Sequence, residues 1–160
     1  MSSPPKQIAA TVVDGALDAW AESGRVSRLV VEGGSMLPLL RPGDVVEVQH
    51  SRRDLQRGEV VAYRTGRTLI IHRVLRTPGE ERDIEVGGDN RTLTDEAVPL
   101  AAVIGRVVGV ERGGERWRID TDRARRLGRV ITLLHPLQRL PALGRLVNRL
   151  RRALSGRLGR

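Results

Sequence analysis

Between Arg28 and Thr121 the chain alternates short apolar runs with turn formers, and outside that stretch the apolar spacing lengthens to a helical period. Leu29–Glu32, Asp44–Gln49, Glu59–Arg64, Thr68–Leu75, Asp83–Val86, Val103–Glu111 and Arg116–Asp120 are rich in Val, Ile and Thr. Gly, Pro and Asp separate them, so each predicts a strand. Many short strands with turns between them predict a mainly β domain, folded as a coiled sheet or small barrel. Upstream, Ile8, Val12, Ala16, Ala19 and Trp20 share one face of a helix over Gln7–Glu22, which Gly24 ends. Downstream, Arg123–Leu134 predicts a helix that stops near His135-Pro136, and Pro141 opens another. In the last helix Leu143, Leu146, Val147, Leu150, Leu154 and Leu158 follow an i, i+3, i+4, i+7 pattern, while Arg145, Arg149 and Arg152 lie elsewhere. Such a basic amphipathic helix suits docking on the β core, a partner helix or an anionic membrane surface. The pattern thus divides the chain into an N-terminal helical segment (1–27), a β domain (28–121) and an Arg-rich amphipathic helical tail (122–160). No internal repeat is visible.

Composition narrows this picture. At 160 residues a modest core is expected, and with two Trp, one Tyr and no Phe it must be built from Val, Leu, Ile and Ala. The net charge of +9 is concentrated in the tail, where Arg123–Arg160 holds eleven arginines and no acidic residue. That asymmetry suggests an acidic partner, either anionic lipid or nucleic acid, or else a solvated tail whose arginines reflect genome composition. Few aromatics are available to stack on bases, which favours lipid. No run approaches the roughly 18 apolar residues that span a bilayer, and Met1–Lys6 does not resemble a secretory signal. The expectation is a protein in the cytoplasm or peripheral on the cytoplasmic membrane face. His50, His72 and His135 are widely separated and cysteine is absent, so neither a metal site nor a cofactor is expected.

Three patches carry candidate chemistry. Ser35 follows two glycines and precedes Met36-Leu37-Pro38, with Pro42 shortly after. Gly33 and Gly34 permit a sharp turn and close approach of substrate, and the Ser35 N–H could face a developing oxyanion. His72 lies in Thr68–Leu75, where alternation places Ile70, His72 and Val74 on one face. An ordinary imidazole titrates near 6.5 and can accept a serine proton at neutral pH. Asp89 and Asp95 flank a Gly-Asp-Asn turn, and either could orient that imidazole. Alone, each patch also has a plain reading as a turn or a core histidine. With Lys6 the only lysine, and far from any core, a Ser–Lys dyad is disfavoured and a histidine is the expected base.

Together the patches resemble the type I signal peptidases, in the Ser–His form of archaea, the endoplasmic reticulum and some spore-forming bacteria. The matching stretches run from about Val30 to Val110: Gly34-Ser-Met-Leu-Pro, Pro42-Gly-Asp-Val-Val, Arg57-Gly-Glu-Val-Val, Ile71-His-Arg-Val, Gly88-Asp-Asn with Asp95 following, and Val103-Ile-Gly-Arg-Val-Val. The resemblance implies a serine endopeptidase with Ser35 as nucleophile, His72 as base and Asp95 as third residue. Gly34, Met36, Pro38 and Asp89 would support them. It also implies precursor substrates with small residues at the −1 and −3 positions. Three features depart from the family: Gly33 stands where many members carry an oxyanion-binding serine, no membrane anchor is expected from the apolar pattern, and the tail lies outside the shared core. Two other classes remain open. One is a peptide-binding or regulatory module on the same fold, and the other is nucleic-acid binding through the tail. Self-cleavage, as in repressors of the SOS type, fits less well because that type uses a lysine base.

Overall fold

The computed structural model describes residues 24–77, 83–90, 96–134, 136–139 and 144–158. The helix predicted over Gln7–Glu22 lies outside the described residues, as do Asp95, His135 and Pro141.

Eight strands form one antiparallel sheet: β1 (Val26–Val30), β2 (Val45–Gln49), β3 (Val60–Thr65), β4 (Thr68–Arg76), β5 (Asp83–Gly87), β6 (Glu96–Pro99), β7 (Val103–Arg112) and β8 (Glu115–Arg118). The order is β1-β2-β7-β3-β4-β5-β6, and β8 pairs with the distal part of β7. Among the described residues the sheet is open, with β1 and β6 at its ends, and does not close into a barrel. Register shifts between Glu47 and Val48, Ala62 and Tyr63, and Val74 and Arg76 bend it, as bulges do.

The strands contribute to two separate buried cores. Val46, Val48, Val60, Ala62, Ile104, Val107 and Val110 point to one core. Val61, Tyr63, Val74, Ile84, Val86, Val98 and Val103 point to the other. This is why β3 reads as a continuous apolar run and not as an alternation. The β7–β8 hairpin closes on Gly113 and Gly114, whose φ of 58° and 86° suits the tight two-residue turn between paired Arg112 and Glu115.

Two helices follow. α1 (Asp122–Leu134) begins where Thr121 Oγ1 accepts the Ala124 N–H at 3.2 Å, a side-chain cap, and Asp122 adds favourable charge in the first turn. Its Ala124 and Ile131 join the first core. α2 (Gly144–Leu158) packs on α1. Its buried stripe is Val147 and Arg151, with Leu154 partly buried against the first core. Leu146 and Leu150, which the heptad-like spacing placed on the same apolar face, are 64% and 47% exposed. Among the described residues no helix is long and apolar enough to cross a membrane.

Candidate active site

Ser35 stands on the loop between β1 and β2. The loop is closed at its base, where the Val31 N–H bonds Asp44 O and the Gly43 N–H bonds Val31 O, both at 2.8 Å. Met36, Leu39 and Leu40 are sunk into the first core and hold the loop from beneath. Arg112 ties down its far end. The guanidinium donates to both Asp44 carboxylate oxygens, at 2.7 and 2.6 Å, and to Leu39 O at 2.9 Å. Burial works to raise the Asp44 pKa, but Arg112 and the Arg41 N–H outweigh it and hold the carboxyl below its ordinary range. The turn-forming Pro42-Gly-Asp stretch thus becomes a charged latch on the serine loop.

On its other side the loop meets the segment after β5. A Cβ at Gly88 would lie 2.7 Å from the Ser35 carbonyl oxygen, so only glycine allows this approach. Asn90 donates its backbone N–H to Ser35 O at 2.8 Å and its side-chain Nδ2–H to Gly34 O at 3.2 Å. Between them, Asp89 accepts two parallel bonds from Arg73, Nε at 2.8 Å and Nη2 at 2.6 Å. Arg73 also donates to Gly58 O at 2.7 Å. This bidentate pair is buried on both sides. The Gly88-Asp89-Asn90 motif therefore braces the serine loop.

His72 sits in β4 opposite Val61 and is buried. The Tyr63 hydroxyl approaches its Nδ1 at 3.1 Å from the neighbouring strand and lies 2.8 Å from Glu96 Oε2. The phenol has one proton, and an ionised carboxylate can only accept. Tyr63 therefore donates to Glu96, and the Tyr63 oxygen is left to accept from Nδ1–H. In that tautomer Nε2 is the basic nitrogen, the one a general base would use.

Ser35 and His72 line the same groove, of about 820 Å³. Leu29, Val31, Met36, Leu40 and Ile71 supply much of its apolar lining, with Gly33 and Glu96 at its polar parts. β1 forms one flank and, among the described residues, is the end strand of the sheet and pairs with β2 alone.

A family model matches residues 7–108, which include this loop, this strand and this groove: Peptidase S24-like. The chain belongs to that family. No curated protein matches the chain. Membership in the S24-like family gives a serine-peptidase type of fold to the unit built on β1–β7 and agrees with its mainly β architecture.

Of the residues singled out from the S24-like sequence, the structure brings Ser35, Met36 and His72 to one groove. Gly34 and Asp89 sit beside it in the bracing contacts, and Pro38 lies on the serine loop, where the Leu37–Pro38 peptide is cis. Tyr63, Glu96, Arg73 and Asn90 were missed. The cue that could have found Tyr63 was the lone tyrosine in a chain nearly without aromatics, on a strand next to His72.

Proposed function

We propose that this S24-like protein is a serine endopeptidase of the signal peptidase type. The observation that carries the reading is that Ser35 and His72 share a groove, with the Tyr63 hydroxyl, bonded to Glu96, at His72 Nδ1. In this mechanism Nε2 takes the Ser35 hydroxyl proton as Oγ adds to the scissile carbonyl. The imidazolium then returns that proton to the leaving amine, an acyl-enzyme forms, and water releases it. The Ser35 N–H donates to the oxyanion, without a side-chain donor at Gly33. Asp95, one residue before Glu96, is the proposed third residue and would stabilise the imidazolium. Asp89, engaged by Arg73, supports the loop.

The substrate binds as an extended segment along β1, adding a strand at its outer edge. The apolar groove would take the small side chains at −1 and −3 that the resemblance to signal peptidases implies. The α1 and α2 surface would rest on anionic lipid, with exposed Val130, Leu133, Leu146 and Leu150 among arginines.

The test is digestion of a diverse peptide pool, read by mass spectrometry. Wild type should cut after small residues, and Ser35→Ala and His72→Ala should each abolish the cuts while remaining folded. The rate should fall on acidification, because a protonated imidazole cannot accept the serine proton. Tyr63→Phe should retain fold and lose rate. If no cut depends on Ser35, with or without anionic vesicles, the fold serves as a peptide-binding module.

A further inference from the structure

The family match ends at residue 108, and α2 lies beyond it. Yet α2 reaches the segment that braces the serine loop through two consecutive side chains. Arg152 donates from Nη2 to Asn90 Oδ1 at 2.9 Å. The adjacent Arg151 is 1% exposed, and its Nη2 lies 3.9 Å from Asp89 Oδ1. Asn90 in turn holds Gly34 O and Ser35 O.

The Arg152 contact decides which way the Asn90 amide points. A guanidinium has donors only, so it must face Oδ1, and this turns Nδ2–H toward Gly34 O. The Gly34 carbonyl and the Ser35 N–H belong to one planar trans peptide and point in opposite directions. Fixing that carbonyl therefore fixes the direction of the Ser35 N–H, the donor proposed for the oxyanion. The Asn90 N–H fixes the next peptide plane through Ser35 O.

We propose that Arg151 and Arg152 are positioning residues, which make α2 a working part of the peptidase unit: they hold Asp89 and Asn90, and through Asn90 they aim the Ser35 backbone. This inference rests on the reading of Ser35 as nucleophile.

Arg151 is buried beside a charge pair, so its removal risks the fold. Arg152 is exposed and is the safer variant. In the full chain, Arg152→Ala should lower kcat for a Ser35-dependent peptide on the order of tenfold with KM nearly unchanged, the pattern expected when catalytic geometry and not binding is lost. Arg152→Lys, which still donates, should recover most of the rate. Hydrogen exchange at the Asn90 amide, whose partner is Ser35 O, should quicken in Arg152→Ala at unchanged melting temperature. Unchanged exchange at Asn90 would overturn the proposal, as would wild-type kcat in Arg152→Ala. If exchange quickens but wild type shows no Ser35-dependent cleavage, the positioning stands and the peptidase reading fails.

Discussion

Gly33 lines the groove two residues before Ser35, and a Cβ built on it meets nothing within 4 Å. Its φ is outside the left-handed region, so a serine fits without strain. Removing one oxyanion donor costs roughly 10²–10³ in rate in a well-formed site. Gly33→Ser should therefore raise kcat, by about tenfold or more if its hydroxyl reaches the oxyanion. A steady-state comparison with wild type checks this, and an unchanged kcat would place the oxyanion elsewhere. At this scale Ser35 and His72 stand out in the sequence because glycine, proline and strand patterns surround them. Tyr63 and Asn90 do not, since their roles arise from geometry that spacing does not set. Tyr63 pairs with Ile70 and so meets His72 diagonally across the β3–β4 ladder. Asn90 reads as an ordinary turn residue until Gly88 lets its loop touch Ser35.

The strands were the most legible elements, since β-branched runs and turn formers punctuate them. β6 was missed because Glu96-Ala-Val-Pro is short and has little alternation; its pairing with β5 makes it a strand. The α2 stripe was read only in part, because a buried arginine at position 151 takes a place that periodicity reserves for an apolar residue. At the end of β2, His50 is buried, with its Nε2 2.9 Å from Ser27 Oγ of β1, and so links the two strands that lead into the serine loop. Desolvation lowers its pKa. A lowered folded-state pKa means the unfolded chain binds the proton first. The stability that neutral His50 contributes is complete above the unfolded value of about 6.5 and is lost as the pH falls through the folded value. Asp44 and Asp120, both held below the ordinary carboxylate range, add a second loss beginning below about pH 4. Melting temperatures measured from pH 7.5 down to 5 should decline in wild type, and more weakly in His50→Gln. Parallel curves for the two would remove His50 from the account.

Charge separates the molecule into two halves. The portion up to Asp122 is close to neutral, whereas the tail carries eleven arginines and no acidic residue. In the fold, Arg123, Arg126 and Arg129 of α1 and Arg145 and Arg149 of α2 are exposed, near Val130, Leu133, Leu146 and Leu150 on the same helices. Apolar side chains left in solvent beside cations suit an interface that is oily below and anionic above, which a bilayer surface provides and nucleic acid does not. A basic residue near an anionic membrane contributes about 1 kcal/mol, so Arg145→Gln with Arg149→Gln should weaken partitioning roughly thirtyfold. Neither residue belongs to the Arg151–Arg152 contacts, so cleavage of a soluble peptide should be unaffected. Leu146→Asp with Leu150→Asp should weaken partitioning as well, which purely electrostatic attachment would not require. Flotation with phosphatidylserine-containing vesicles, against phosphatidylcholine alone, measures both effects. Binding should survive in part at about 0.5 M salt, where screening removes most of the exposed-charge attraction and the leucine contacts persist. Binding to nucleic acid with a steep salt slope, and none to either vesicle, would assign the tail to phosphate backbones instead.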